Sequence, residues 1–574
     1  MVVTTGEPHH IHAPFSTRGG MVTSNHHLAA AAGAAILAQG GNAVDAAAAT
    51  AFAVGVVEPA MSGLGGRGYL VVYAGDGAVS AVVDGHERAP RAARPDMFRA
   101  VEAQPHPTYG WGPQVSVVGG ANAIGHLAVA VPGVVAALAT AHARYGRLPL
   151  HRVLEPAIAL ADDGFVVSVP LAVTIASHRA KLLRFPASAA IFLPDGHTPA
   201  PGERLIQRDL ARSLRLIAAN GPEEFYAGAI ARAIAAEMTR AGGLVCRDDL
   251  AAFTPRVWMP PLEGSYRGYR ILTVPEATGG VTLLQIMNLL EGFDPTAADS
   301  LGTRALHRLL EAFRIAFRDR FAVLDDPAFV PVPYAGLASK AFADQRRHQM
   351  FDDRANCEVA PADPWRFEPA QRSTVDTHPV SWRQTDVETT HFCALDAHGM
   401  TVAMTQSLID AFGSGVVVPG TGILLNSAMH NFNPIPAQLG SIAPWKRSVH
   451  NGVPTIVVRP DGRPALAIGG GGGTKIITGV AQALVHVLDH GWSIQEAVAA
   501  PRVHNEGGDS QIDSRVAVEV RGALCRMGHR FEPVTSQFAR PAFARINAIA
   551  VDTAGARWSG IDPFGDAGAA AELD

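Results

Sequence analysis

A layered α+β architecture is predicted, with β-sheets covered by helices on their outer faces. Three observations lead to it. Helical periodicity dominates from about Pro132 to Met350, in stretches such as VVAALATAHARYG, HRVLEPAIALADDG and LHRLLEAFRIAFRDRF. After Thr389 the texture turns β-rich, through THFCALD, MTVAMTQS, GILLN, PTIVVRPDGRPALAIGG and INAIAVDTAG. Two helices, Thr478 to His490 and Ile494 to Ala499, interrupt those strands without replacing them. No internal repeat is evident.

Taken in order, residues 1–18 read as a flexible leader, followed by a short strand in GGMVTSN. A helix from His27 to Gln39 is stopped by Gly40-Gly41, and a second, Ala43 to Val57, is capped by Asn42. The glycine-rich link SGLGGRG leads into the strands YLVVYA and VSAVVDG. The segment Asp352 to Asp386 is polar, contains proline and lacks periodicity. It reads as an exposed linker, where a cut in the chain would not tear a ladder.

Composition narrows the function. The 574 residues are 48% hydrophobic and 17% charged with a formal net charge of -5, so no global field draws the chain to nucleic acid or acidic lipid. The four cysteines lie far apart with no CxxC, which predicts neither a zinc site nor a disulfide framework, and no cofactor is expected. The start lacks a secretory signal, and the longest apolar run, Ala46 to Val57, is too short to span a bilayer; a cytoplasmic protein without membrane or nucleic-acid partners is expected. His9, His10 and His12 read as a solvated tail rather than a metal site.

Two stretches carry chemistry. GGGGGTK, Gly469 to Lys475, follows a strand and precedes a helix, but Thr474 precedes Lys475, so the phosphate-loop pattern fails. What remains is a run of backbone N–H groups suited to a developing oxyanion. In DVETTHFCALDAHG, Thr389 to Leu395 is a strand with Phe392 and Ala394 on one face and Cys393 and Leu395 on the other. Its paired threonines raise two readings: β-branched residues at a strand start, or an N-terminus released by cleavage before Thr389. The second supplies a hydroxyl nucleophile together with its own base, an α-amine of pKa about 7.7 to 8.0. No G-x-S-x-G elbow competes.

The ordered blocks GGMVTSNHHLAAAAGAAILAQGGNAVDAAAA, EPAMSGLGGRG, AVPGVVAAL, YRGYRILTVPEATGGVTLLQIMNLLE, TTHFCALDAHGMTVAMTQS, GSGVVVPGTGILLN and KRSVHNGVPTIV resemble the γ-glutamyltransferase family of N-terminal-nucleophile hydrolases. That resemblance implies a four-layer αββα sandwich and a precursor cut between Glu388 and Thr389. The large subunit would be 1–388 and the small one 389–574. It also implies Thr389 as nucleophile, Ser407 as the hydroxyl that steadies it, and Gly472 and Gly473 as the oxyanion pair.

The glutamyl-binding positions depart from the family pattern. His86 stands at the family's carboxylate-binding arginine, with Arg88 two residues on and on the same face if this is a strand. Ile409 replaces an asparagine, Ala428 and Asn431 replace a glutamine and an aspartate, and His450 and Asn451 replace paired serines. A small amide substrate whose acyl group is not γ-glutamyl is therefore expected, with an ordinary glutathione hydrolase and an unprocessed scaffold as the alternatives. The partners expected are that substrate and the two subunits themselves, with a homo-oligomer of processed heterodimers left open.

Overall fold

The structure, a computed structural model, describes residues 2–5, 14–101, 115–297, 299–369 and 388–572. His9, His10 and His12, and residues 370–387 of the polar stretch before Thr389, lie outside them.

Two antiparallel sheets face each other. The first has eight strands in the order Val2–Thr5, Gly568–Glu572, Met21–Ser24, Glu388–Leu395, Thr401–Ile409, Arg67–Tyr73, Ser80–Gly85 and Arg256–Trp258. The second has seven: Ser16–Thr17, Arg557–Ile561, Arg545–Val551, Pro464–Gly471, Thr455–Val458, Tyr269–Thr273 and Leu262–Tyr266.

Side-chain alternation along each strand sorts the core into layers. Phe392, Ala394, Val402, Met404, Leu70 and Val72 pack with the helices His27–Ala38 and Ala43–Val57. Their neighbours Cys393, Leu395, Ala403, Tyr69 and Val71 turn inward and meet Leu272, Ile456, Val458, Ala467 and Ile549 of the second sheet. Val457, Leu466 and Ile468 point out the other side, against Gly280–Glu291, Thr303–Val323 and Lys475–Leu488. The result is helix, sheet, sheet, helix: a four-layer αββα sandwich.

Local signals account for the first helices. Asn42 accepts from the N–H groups of Val44 and Asp45, while Asp45 accepts from the Asn42 N–H, closing a capping box. The helix is alanine-rich and buried nearly all round, as befits a central packing element.

Three differences from the sequence reading have physical causes. Two stretches of the segment read as a leader, Val2–Thr5 and Ser16–Thr17, are edge strands, paired with Gly568–Glu572 and Arg557–Ile561. Inside the stretch read as helical, Leu262–Tyr266 and Tyr269–Thr273 form a hairpin. Its two-residue turn puts Arg267 at φ 51° and Gly268 at φ 85°. Arginine is tolerated there because its side chain donates to Asp489 at 3.1 Å and to the Glu291 carbonyl at 2.9 Å. The helix expected at Thr478 to His490 is Lys475–Leu488, starting as soon as the glycine turn before it allows.

Several histidines are folded in neutral form. Burial pushes His391 down to about 3, His486 to about 4 and His529 to about 3. In the unfolded chain the same rings titrate near about 6.5. Between those values the unfolded state binds more protons than the folded one, so stability falls as pH falls through that window. Thermal midpoints are expected to drop steadily from about pH 7.5 to about pH 5.5; a flat profile would show these rings charging freely in the folded protein.

Candidate functional site

Thr389 lies at the inner end of the Glu388–Leu395 strand, fully buried, with its neighbour strand distorted beside it. Glu388 pairs with Ile409 and Thr390 with Gln406, so Ser407 and Leu408 together stand against the single residue Thr389. This is a β-bulge, which re-aims side chains at a ladder's end. Ile409 adopts φ 81°, unusual for a β-branched residue and of order 1–3 kcal/mol unfavourable.

The bulge builds a hydroxyl chain. Thr389 Oγ1 donates to Ser407 Oγ at 3.3 Å, and Ser407 Oγ donates to the Glu388 carbonyl at 2.7 Å. The Ile409 N–H donates to Ser407 Oγ at 2.8 Å, fixing that oxygen from behind. The nucleophile candidate, the second hydroxyl and the carbonyl of the preceding peptide bond therefore share one proton-ordered line.

The glycine run is mostly strand rather than an open loop. Gly469, Gly470 and Gly471 pair with Asn547, Ile546 and Arg545. A Cβ on Gly469 would lie 2.3 Å from the His391 ring, and one on Gly471 would lie 1.9 Å from the Thr389 carbonyl oxygen. These glycines let the second sheet's backbone press against the first. Only Gly472 (φ 133°) and Gly473 (φ 60°) form the turn. Together with Glu388 they line a cavity of about 520 Å³, whose other walls include Glu58, Met61, Leu171, His178, Lys475, Phe543 and Arg545.

None of the positions expected to grip the acyl group lines that cavity. The Ser80–Gly85 strand ends before His86, so the shared face expected for His86 and Arg88 does not exist. His86 is buried edge-on to Tyr69, and the Tyr69 ring stacks on His450 at 4.8 Å. Burial first, then the nearby Arg67, holds both histidines well below their ordinary pKa. Arg88 donates to the Trp445 carbonyl at 3.2 Å and stands 5.6 Å from that ring. The His450 carbonyl and Asn451 Oδ1 accept from Arg320 at 2.7 and 2.9 Å. Ile409 and Ala428 join one apolar cluster, and Asn431 is buried at the end of the short Ala428–Asn431 turn.

Sequence reasoning passed over several residues here. Arg67, directly across the ladder from Ser407, is fully buried and donates to Glu87 at 2.9 Å. Glu58 accepts from the Thr390 hydroxyl at 2.6 Å and from Arg545 at 3.2 Å. Burial holds the Glu58 carboxyl above its ordinary pKa despite that arginine. Both Glu58 and Arg67 fall inside EPAMSGLGGRG, where charged residues flanking small ones mark the stretch. Among the described residues one trio carries clustered metal-ligand atoms, His307, Glu311 and His529, most of which are already hydrogen-bonded, His529 Nδ1 being the exception. The two rings share a 2.7 Å hydrogen bond, and Glu311 accepts from Arg314 and from the Asn356 N–H.

An αββα sandwich with a threonine held against a second hydroxyl on a central strand is the build of an N-terminal-nucleophile hydrolase. The comparisons narrow the class: the family model for gamma-glutamyltranspeptidase matches residues 29–572, and the chain belongs to that family. It is 41% identical over 518 residues to the Acylase ACY 1 proenzyme of Pseudomonas sp. (strain V22), covering 90% of this chain and 88% of that protein. It is 36% identical over 518 residues to the glutathione hydrolase proenzyme of Escherichia coli (strain K12), covering 88% and 84%. Among solved structures, the cephalosporin acylase from Bacillus halodurans matches with TM-score 0.84 and 29% identity, over 98% of this chain and 97% of that one. The chain is thus an enzyme of the amidohydrolase and acyltransferase kind.

Two substitutions probe the geometry. Ser407→Ala is expected to slow turnover by about 10²-fold, as for a lost proton-handling contact; an unchanged kcat would make Ser407 a passive strand residue. Gly471→Ala, which places a methyl inside the Thr389 carbonyl, is expected to cost about 10²-fold or more through displacement of the strand. Wild-type activity would show that the sheets part easily here.

Proposed function

We propose that the chain is a precursor that cuts itself between Glu388 and Thr389, and that the released Thr389 is the nucleophile of an amide-cleaving acyltransferase. The observation that carries this reading is the line from Thr389 Oγ1 through Ser407 Oγ to the Glu388 carbonyl. Ser407 polarises that carbonyl while accepting from the hydroxyl that attacks it. The Oγ1–C bond forms, the C–N bond breaks, and the proton passes to the departing nitrogen. Water then hydrolyses the resulting ester, leaving subunits 1–388 and 389–574 and a free α-amine on Thr389. The names of both relatives, as proenzymes, agree with such a step.

In the mature cycle the α-amine takes the hydroxyl proton near neutral pH, and Oγ1 attacks the substrate amide. Ser407 orients the nucleophile. The Gly472 and Gly473 N–H groups receive the developing oxyanion, and the leaving amine collects the proton. The acyl-enzyme passes its acyl group to water or to an amine.

The acyl group we infer is not γ-glutamyl. A glutamyl end brings an α-carboxylate and an α-ammonium that need charged partners once desolvated. Here His86 is neutral and buried, Arg88 faces Trp445, and Ala428 and Asn431 offer no carboxylate. Where the family resemblance places the acyl end, an acyl part with one carboxylate or none suits these residues better. The likeness to a protein named as a glutathione hydrolase keeps the ordinary activity as the second reading.

Amino-terminal sequencing of the smaller fragment should begin Thr-Thr-His-Phe, and Thr389→Ala should remain one intact, inactive chain. An active enzyme that stays intact sinks the self-cleavage reading. In a panel of p-nitroanilides, glutaryl or simple acyl amides should be turned over faster than the γ-glutamyl one, and His86→Arg with Asn431→Asp should shift preference back. Wild-type glutathione hydrolysis with kcat/KM at or above about 10⁴ M⁻¹s⁻¹ would favour the second reading.

A further inference from the structure

The strand Met21–Ser24 pairs with the Glu388–Leu395 strand only from Phe392 onward. Among the described residues no strand pairs with Thr389 or Thr390 on that side, and side chains stand in for one. Arg545 donates through Nη2 to the Thr389 carbonyl at 3.2 Å and through Nη1 to Glu58 Oε1 at 3.2 Å. Glu58 Oε2 accepts from the Thr390 hydroxyl at 2.6 Å, and Asn25 Nδ2 donates to that hydroxyl at 3.2 Å. Asn547 donates in turn to Asn25. Glu58 caps the helix Ala43–Val57 of one outer layer, while Arg545 opens the Arg545–Val551 strand of the second sheet. The pair thus fastens three layers at the point where Thr389 sits. Both side chains are buried from bulk solvent yet line the cavity of about 520 Å³.

We propose that Glu58 and Arg545 are positioning residues for the nucleophile. Resting on the reading above, the reason is mechanical. Cleavage before Thr389 removes the covalent restraint on its amino side, and the bulge offers little ladder to replace it. What then fixes the nucleophile is its carbonyl, held by Arg545, and the next side chain, held by Glu58. A charged fork in a buried setting is a stiff anchor, and an error of about 1 Å at a reacting atom is worth about 10²-fold in rate.

The test uses the full chain with Arg545→Ala, Arg545→Lys and Glu58→Gln, and reads kcat, KM, self-cleavage and thermal midpoint together. Arg545→Ala is expected to lower kcat by about 10²-fold with KM changed by less than about 3-fold. Because the cavity gives access, added guanidinium or ethylguanidinium should restore at least about 10-fold of the lost kcat, and Arg545→Lys should lie between. Glu58→Gln keeps the side-chain shape and is expected to fold while losing about 10-fold in kcat; it serves if Arg545→Ala fails to fold. A kcat within about 3-fold of wild type for folded Arg545→Ala or Glu58→Gln overturns the inference, as does a lowered midpoint with no rescue by guanidinium. Thr389→Ala separates the two readings. If it remains active, the nucleophile assignment has failed; if it is dead while the Arg545 and Glu58 variants match wild type, only the positioning role has failed.

Discussion

The close contact between the two sheets at Thr389 is the constraint on which the rest of the site depends. Packed sheets ordinarily stand about 10 Å apart with side chains between them. At Gly471 the second sheet's backbone instead lies against the Thr389 carbonyl, nearer than any β-carbon would permit. That approach closes one side of the nucleophile strand. The bulge on the other side then has one place to put Ser407, against Thr389, and the φ of 81° at Ile409 is the local cost of doing so. Beyond Gly471 the chain turns away through Gly472 and Gly473, and the cavity opens where the sheets part.

Around this contact the polar groups are organised by burial. Arg67 with Glu87, Arg545 with Glu58, and Arg447 with Asp326 are ion pairs taken almost wholly out of water. Such pairs gain little net stability, because desolvation offsets attraction, but breaking one partner is costly. Their value lies in fixing geometry. The same burial holds the His86 and His450 rings well below their ordinary pKa, which leaves Arg67, paired with Glu87, as the ionic group across the ladder from Ser407.

Much of this was legible in the sequence. The alternation put Phe392 and Ala394 on one face and Cys393 and Leu395 on the other, and the clusters follow that division, the first pair meeting helices and the second the opposite sheet. Asn42 and the bounds of Ala43–Val57 were readable because capping is local chemistry. The hairpin at Leu262–Tyr266 was not, since its turn uses Arg267, whose left-handed backbone is made tolerable by contacts with distant Asp489 and Glu291. The role of the glycine run was only half legible. Glycines that open a turn and glycines that admit a neighbouring strand look alike until the partner, here Thr389 and His391, is known. Arg545 lacked any local signal: its meaning comes from a carbonyl 156 residues away in sequence.

The order of strands has its own consequence for a chain cut before Thr389. Glu388–Leu395 and Thr401–Ile409 lie between Met21–Ser24 and Arg67–Tyr73, and Pro464–Gly471 and Thr455–Val458 join Tyr269–Thr273 in the second sheet. Each fragment therefore contributes interior strands to both sheets, woven through the other. The two pieces would travel as one particle through any native separation and part only when the sheets themselves are undone. Folding would be unimolecular before the cut and reassembly bimolecular after it, so denaturation of the mature form becomes hard to reverse by dilution. The nick would thus convert an equilibrium structure into one held by its history.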